Sequence, residues 1–298
     1  MLERKITKVL LAWKNNTIIK KKALVIKGLR QIGKTFIVKQ FAKDNYENQI
    51  YINFKNNDDL KSVFEENLNV DRILIDLSAK MPNIKLIPYK TIIIFDEIQE
   101  CANARASIKA FVEDGRYDII ATGSLPGIKG YNKKKGKGVP TGSEHIIYMY
   151  PLDFEEFLWA KGYKDNQIEE MYSSMKNLTP LSKVMMEVMN ENFKDYLVLG
   201  GMPKVVALFI KNKNFSGTLK LQKQLILDYE EDITKYANGL DKTKILNVYR
   251  KIPVFLGKEN KKFQISKVSH GAKSRDYIGV IEWLEQAGII NTCYCMLD

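Results

Sequence analysis

Five short segments rich in β-branched residues alternate with helical patterns in the first half of the chain, and this alternation constrains the fold most. The predicted strands are Ala23–Lys27, Gln49–Phe54, Thr91–Phe95, Asp118–Thr122 and His145–Met149. The helical patterns that separate the first four strands cover Thr35–Lys43, Leu60–Ala79 and Ala104–Glu113. Strands that alternate with helices indicate a parallel sheet with helices on both faces. We therefore predict an α/β fold for this half.

A glycine-containing motif, G-x-x-x-x-G-K-T, lies directly between the first strand and the first helix. Such glycines let backbone N–H groups surround phosphate oxygens at a helix N-terminus. The motif lysine reaches the β- and γ-phosphates, and its threonine hydroxyl ligates Mg²⁺. A chance match on a glycine-containing loop is the alternative, and the strand before and the helix after argue against it. The predicted phosphate-binding residues are Gly28, Leu29, Arg30, Gln31, Ile32, Gly33, Lys34 and Thr35.

Two carboxylates follow the third predicted strand. Asp96 and Glu97 come directly after the apolar run Thr91–Phe95. The carboxyl ends of strands are where ligands bind in an open α/β sheet, so this pair is expected beside the phosphate-binding motif. We predict that Asp96 and Thr35 hold Mg²⁺, that Glu97 polarises the attacking water, and that Lys34 also assists catalysis. A solvated strand end is the alternative interpretation.

Polar residues also end the fourth predicted strand. Thr122 and Ser124 are candidates for contact with the γ-phosphate or the attacking water, and an ordinary β-turn explains them equally well.

The second half of the chain is mainly helical by pattern. Helices are predicted over Phe154–Ala160, Gln167–Met175, Leu181–Asn190, Phe193–Leu199, Val205–Lys211 and Leu219–Ala237, and short helices followed by a C-terminal strand are predicted over Lys242–Met296. A cluster of acidic residues within the sixth helix is interpreted as a solvated face, and its members are Asp228, Glu230, Glu231 and Asp232.

The formal net charge of +12 is unevenly distributed. Residues 1–150 carry 26 basic and 16 acidic side chains, and residues 151–298 carry 21 and 19. Within the second half, Lys242–Arg275 holds ten basic residues and one acid, Glu259. A charge run is usually a solvated face, so contact with DNA through Lys242–Arg275 is the alternative.

The expected cellular compartment is inferred from two features that the sequence lacks, a membrane helix and a disulfide framework. No apolar run approaches the ~20 residues of a membrane helix, and three cysteines do not make a disulfide framework. We therefore expect a cytoplasmic protein without membrane partners.

These motifs, taken together, resemble a prokaryotic branch of the AAA-type ATPases of the signal-transducing type. The resemblance rests on the motif at Gly28–Thr35 and extends along the chain to YINF at Tyr51–Phe54, IIFDEIQE at Ile93–Glu100, EDGRYDIIATGSLPG at Glu113–Gly127, YPLDFEEFLWA at Tyr150–Ala160 and LGGMPKVV at Leu199–Val206. It implies ATP as the ligand, with Mg²⁺. It also implies a P-loop NTPase sheet with strand order 5-1-4-3-2, an α-helical lid and a winged-helix-like C-terminal module. The corresponding domains are residues 1–150, 151–240 and 241–298.

The resemblance has further implications for single residues and partners. Gly201-Met202-Pro203 matches a lid turn that packs near the nucleotide, which makes Pro203 a candidate ligand residue; a helix-breaking corner is the alternative. A homo-oligomer and a protein effector are candidate partners. The expected function is a nucleotide-dependent switch with slow ATP hydrolysis, and the alternative is a DNA-binding regulatory module in which nucleotide is a structural ligand.

The sequence also departs from this family. Relatives usually continue into a nuclease domain where this chain reaches Asp298, and no Asp…Glu-x-Lys pattern of that nuclease class occurs, so nuclease activity is not expected. Relatives often carry an arginine finger after the fourth strand, but Gly127–Gly142 offers only lysines. Arg105 and Arg116 are the nearest arginines, and the sequence does not assign either as a finger.

Overall fold

A five-stranded parallel sheet forms the centre of the first half of the molecule. The computed structural model describes residues 2–16, 21–124, 142–237 and 241–293. The strands are β1 Ala23–Gly28, β2 Asn48–Asn53, β3 Thr91–Asp96, β4 Asp118–Ser124 and β5 Glu144–Met149. Their order is β2-β3-β4-β1-β5, and every neighbouring pair is parallel. The predicted fold class and the predicted order 5-1-4-3-2, counted from the opposite edge, are confirmed.

Helices cover both faces of this sheet. They are α1 Ile6–Lys14, α2 Lys34–Asn45, α3 Val70–Lys80 and α4 Ala102–Asp114. Successive strand residues point to opposite faces, so each strand contributes to two cores. In β3, Ile93 and Phe95 pack in the cluster with α3 and α4, whereas Ile92 and Ile94 pack in the cluster with α1 and α2. All of β3 is buried, as expected for a central parallel strand.

The helix predicted over Leu60–Ala79 is wrong as a single element. The structure has a 3₁₀ helix at Asp58–Phe64 and then α3 from Val70. Asn69 separates them, because its side chain accepts a hydrogen bond from the backbone N–H of Arg72 and so caps a new helix N-terminus.

The second half is helical in all of its described elements after β5. The α-helices are α5 Phe154–Ala160, α6 Asp165–Asn177, α7 Lys183–Leu199, α8 Pro203–Asn212, α9 Thr218–Tyr236, α10 Lys242–Leu256 and α11 Ile278–Gln286, and two 3₁₀ helices lie at Ile265–Lys267 and Ser274–Asp276. The two helices predicted over Leu181–Asn190 and Phe193–Leu199 form the single helix α7. Asn192 does not break it, because its amide donates to the Val188 carbonyl, 2.8 Å, and to the Tyr163 hydroxyl, 2.9 Å.

The C-terminal strand has no counterpart in residues 287–293, and residues 294–298 lie outside the described part. The Gly/Lys-rich stretch predicted as a loop or hairpin lies mostly outside it too, at residues 125–141. Among the described residues, no helix is both long and apolar enough to cross a membrane.

Candidate nucleotide-binding site

The phosphate-binding motif forms the turn between β1 and α2, at the carboxyl edge of the sheet. A Cβ at Gly28 would lie 2.3 Å from the Met149 carbonyl oxygen, so only glycine fits where β1 passes β5. Gly33 has φ +93°, in the left-handed region that favours glycine. The sequence spacing therefore places a compact loop at the N-terminus of α2, with backbone N–H groups available to an anion.

The Lys34 side chain lies inside this loop. Its ammonium donates to the carbonyl oxygens of Gly28, 3.0 Å, and Leu29, 2.6 Å. Burial lowers the pKa of Lys34 from 10.5 to about 8, and the carboxylates of Glu97 and Asp96 oppose this shift. The loop thus holds a buried cation that its own carbonyl groups solvate in place of water.

Asp96 is the acceptor of several hydrogen bonds at the end of β3. The Thr35 hydroxyl lies 3.0 and 3.1 Å from its two oxygens, and the Tyr51 hydroxyl donates at 2.6 Å. Asn53 donates from its amide at 3.0 Å, and the Thr122 hydroxyl donates to the other oxygen. Mg²⁺ prefers oxygen ligands and is often held by one or two protein groups together with phosphates and water. The adjacent Thr35 hydroxyl and Asp96 carboxylate fit that ion.

Glu97 follows Asp96 with φ +54°, a left-handed conformation that is unusual for a residue other than glycine. The half-buried Glu97 carboxylate accepts a hydrogen bond from the Gln99 amide. The same amide nitrogen lies 3.4 Å from the Ser124 hydroxyl oxygen. Thr122 and Ser124 are both buried, one against Asp96 and the other beside Gln99, so the end of β4 joins the two carboxylates.

A cavity of about 800 Å³ opens at this edge of the sheet. P-loop residues from Arg30 to Thr35 line one side, and Glu97 also contributes. Pro203, Lys204 and Ala207 line the other side from α8. Its volume is within the usual range of ligand pockets. Pro203 therefore lines the same cavity as the P-loop, and its contact with a nucleotide stays a prediction.

Helix α9 contacts the P-loop, which corrects the interpretation of the acidic cluster as a solvated face. Asp232 is buried and forms an ion pair with Arg30. Asp228 accepts a hydrogen bond from the Gln31 amide, 2.5 Å. Glu230 binds Arg250 of α10 at 2.7 Å. Only Glu231 fits the solvated-face interpretation, because its side chain is exposed and makes none of these contacts.

The two arginines nearest to the fourth strand are both engaged in ion pairs. Arg105 binds the buried Glu144 carboxylate at 2.8 and 2.9 Å. Arg116 binds Asp71 and Asp114. The lysines of the segment after the fourth strand lie at residues 129–137, outside the described residues.

Some residues of the site were not predicted from the sequence. Tyr51 and Asn53 carried a usable signal, because they end a parallel strand and must reach the same edge as Asp96. The N-terminal Arg4 carried none, although it donates to the Ile32 carbonyl of the P-loop at 3.0 Å. Gln99 and Asp232 depend on contacts between distant segments.

Comparisons with known proteins bear on the family and the fold. Residues 20–158 match the family model described as an AAA domain, and residues 190–297 match one described as a domain of unknown function, DUF8612. No protein with curated annotation matches the sequence. The Walker-type ATPase PABY2304 of Pyrococcus abyssi is similar in fold, with a TM-score of 0.56 and 16% identity, over 96% of this chain and 90% of that one. The ORC2 protein of Aeropyrum pernix, solved in ADPNP–ADP complexes, has a TM-score of 0.49 and 13% identity, over 97% and 86%.

The fold resembles that of P-loop ATPases, and the site contains a glycine-rich loop at a helix N-terminus. The family match adds that residues 20–158, a little under half of the chain, are similar to AAA domains. The signal-transducing branch, the nuclease relationship and the three-domain division remain predictions.

Proposed function

We propose that the protein is an Mg²⁺-dependent ATPase that acts as a nucleotide-dependent switch. The observation that carries the proposal is the convergence of Lys34, Thr35, Asp96 and Glu97 at one edge of the sheet, beside a cavity bounded by the helical region. Helix α2 supplies Lys34 and Thr35, and the carboxyl end of β3 supplies Asp96 and Glu97. Each has the chemistry that phosphate binding or water activation requires.

Each residue of the proposed ATPase site has a role that follows from its chemistry. The Lys34 ammonium exchanges its two loop carbonyl partners for phosphate oxygens and so neutralises the polyphosphate. Thr35 and Asp96 would hold Mg²⁺, which supplies charge neutralisation between the phosphates. Glu97 orients and deprotonates the water. Pro203 and its neighbours on α8 close against bound nucleotide, so that the helical region follows the state of the site.

Turnover is proposed to be slow. An arginine finger supplies roughly 10³–10⁵ in rate to enzymes of this class. Within the described residues, Arg105 and Arg116 are both engaged in ion pairs away from Lys34. Slow hydrolysis suits a switch, because the nucleotide-bound state must persist long enough for a partner to bind it.

Phosphate release by three purified variants tests this proposal. Lys34→Ala is expected to abolish ATP binding, whereas Glu97→Gln is expected to bind ATP without turning it over. Glu100→Gln is the matched control, because it removes a nearby carboxylate that makes no contact with Lys34 or Asp96. Equal phosphate release by the wild type and Glu97→Gln contradicts the enzymatic function.

A second candidate function is DNA binding through the basic segment Lys242–Arg275, in which nucleotide is a structural ligand. Most of its basic side chains are exposed, including Lys251, Lys258, Lys261, Lys262 and Lys267. In this proposal the C-terminal region is a winged-helix-like module that tracks phosphates.

The salt dependence of duplex DNA affinity tests the second candidate. Each neutralised phosphate contributes about −0.9 to the log–log slope. Replacing Lys258, Lys261 and Lys262 by Gln should flatten that slope, whereas Lys211→Gln with Lys213→Gln at the C-terminal end of α8 should not. Affinity that is insensitive to salt contradicts this function.

A further inference from the structure

Three side chains of helix α9 contact the P-loop at Arg30 and Gln31. Asp232 forms an ion pair with the Arg30 guanidinium, and the Tyr229 hydroxyl donates to the Arg30 carbonyl oxygen at 3.0 Å. One turn earlier, Asp228 accepts from the Gln31 amide at 2.5 Å. Asp228 and Asp232 are four residues apart, so they lie on one face of the helix. The contacts of α9 thus fall on two of the unspecified positions of the G-x-x-x-x-G-K-T motif.

The ion pair between Arg30 and Asp232 is largely buried. The Asp232 side chain is 8% exposed, whereas that of Arg30 is 22% exposed and lines the nucleotide cavity. A buried carboxylate is stable only with a charged or hydrogen-bonding partner. Arg30 supplies the positive charge, so Asp232 depends on Arg30 remaining in place.

A polyphosphate in the cavity introduces a second anion beside the same guanidinium. Arg30 and Gln31 line the cavity together with Lys34, so phosphate oxygens and the Asp232 carboxylate draw on the same positive charge. We propose that Asp232 and Tyr229 form a latch on the P-loop, and that bound nucleoside triphosphate releases it by taking Arg30 from Asp232. This inference rests on the proposed nucleotide binding and adds the residues that set its affinity.

The helix that carries the latch also joins the two other parts of the protein. Leu225 of α9 packs in the cluster formed with α5 and α8, whereas Ile233 and Ala237 pack in the cluster formed with α10 and α11. Glu230 adds the ion pair to Arg250 on α10. A change at Arg30 is therefore transmitted through one rigid helix to the C-terminal region.

The latch can be measured because nucleotide binding and the contact between Arg30 and Asp232 affect each other reciprocally. If nucleotide weakens the contact between Arg30 and Asp232, then loss of that contact strengthens nucleotide binding by the same factor. Calorimetric titration with Mg²⁺ and AMPPCP, an ATP analogue with a non-hydrolysable β–γ linkage, gives the dissociation constant. Asp232→Asn is expected to tighten binding by roughly 5- to 150-fold, the usual range of such couplings. Glu231→Gln, the same kind of charge change on the exposed side of α9, is expected to leave affinity unchanged.

A double-mutant cycle separates the latch from a simple effect of charge. In an Arg30→Gln background, Asp232→Asn is expected to change affinity by no more than about twofold, because its partner is already absent. Equal tightening in both backgrounds overturns the latch, since Asp232 then acts only through its negative charge. Unchanged or weaker binding by Asp232→Asn overturns it as well, since Asp232 then supports Arg30 as a ligand residue.

Tyr229→Phe tests the second contact of the latch without altering charge. It removes the hydrogen bond to the Arg30 carbonyl, and a net hydrogen bond corresponds to roughly 2- to 10-fold in affinity. Tightening supports the latch, and unchanged affinity of this variant contradicts it. If the wild type binds no AMPPCP, the proposed function itself fails. If the wild type binds AMPPCP but the cycle shows no coupling between Arg30 and Asp232, only the latch fails.

Discussion

The Arg4 guanidinium and the Glu156 carboxylate form a buried ion pair, with Nε and Oε1 3.1 Å apart, that joins the N-terminal segment to α5. The same guanidinium donates to the Ile32 carbonyl at 3.0 Å and to the Tyr150 carbonyl at 2.6 Å. Glu156 in turn accepts from the backbone N–H of Lys5, 2.7 Å. One arginine therefore fixes the P-loop, the exit of β5 and the start of the helical region relative to one another.

Glu156→Gln is expected to destabilise the protein by about 3–5 kcal/mol, because it leaves the Arg4 charge buried without a counter-ion. Urea unfolding followed by tryptophan fluorescence measures this change. Lys5→Gln is the matched control: it removes the ion pairs to Asp153 and Glu155, but the Lys5 side chain is 42% exposed, so about 1 kcal/mol or less is expected for each pair. Equal effects of the two variants would contradict the importance of burial.

The sheet and the phosphate loop could be predicted from the sequence because their signals are local. The apolar run before Asp96 identifies a buried strand, and the spacing from Gly28 to Thr35 identifies the loop. Parallel connectivity then brings Lys34, Thr35, Asp96 and Glu97 to one edge without any knowledge of tertiary contacts.

The remaining contacts could not be predicted because each joins segments far apart in the sequence. Arg30 and Asp232 are 202 residues apart. The sequence pattern of an acidic residue on a helix is the same whether its side chain faces solvent or an arginine. Asn69 and Asn192 show a different limit, because the same residue type can begin a helix or lie inside one. Asn69 begins a helix with its side chain, whereas Asn192 continues one because Tyr163 and the helix itself accept its amide protons.

Thr122→Val is expected to lower ATP turnover more than Thr122→Ser does. The Thr122 side chain is 1% exposed and its hydroxyl donates to Asp96, so valine keeps the volume but removes the donor. A lost hydrogen bond to a charged group costs about 1.5–3 kcal/mol, and serine retains that bond. Phosphate release at saturating Mg²⁺ and ATP measures the difference. Equal turnover by the valine and serine variants would show that the hydroxyl is not required.

Nucleotide affinity is expected to fall as the pH rises above about 8. Burial lowers the pKa of Lys34 from 10.5 to about 8, so the free protein loses the ammonium charge as the pH passes that value. A polyphosphate binds the charged form, so binding must then take up a proton, and the dissociation constant rises about tenfold per pH unit. Titrations with AMPPCP at pH 7, 8 and 9 measure the change. Calorimetry at pH 9 in two buffers of different ionisation enthalpy should also detect the proton uptake. Constant affinity across this range contradicts the requirement for a charged Lys34.

Chelation of Mg²⁺ is expected to reduce the stabilisation that AMPPCP confers on the wild type but not that conferred on Asp96→Asn. The carboxylate of Asp96 and the hydroxyl of Thr35 lie 3.0 Å apart and are the proposed protein ligands of the ion. Ligand at about 100 times its dissociation constant stabilises by about 2.7 kcal/mol, and each tenfold loss of affinity removes about 1.4 kcal/mol. Thermal unfolding with Mg²⁺ or with EDTA measures the difference, and Glu100→Gln should respond as the wild type does. If EDTA leaves the wild-type stabilisation unchanged, Asp96 and Thr35 do not form an Mg²⁺ site; if Asp96→Asn keeps the full response to Mg²⁺, other groups hold the ion.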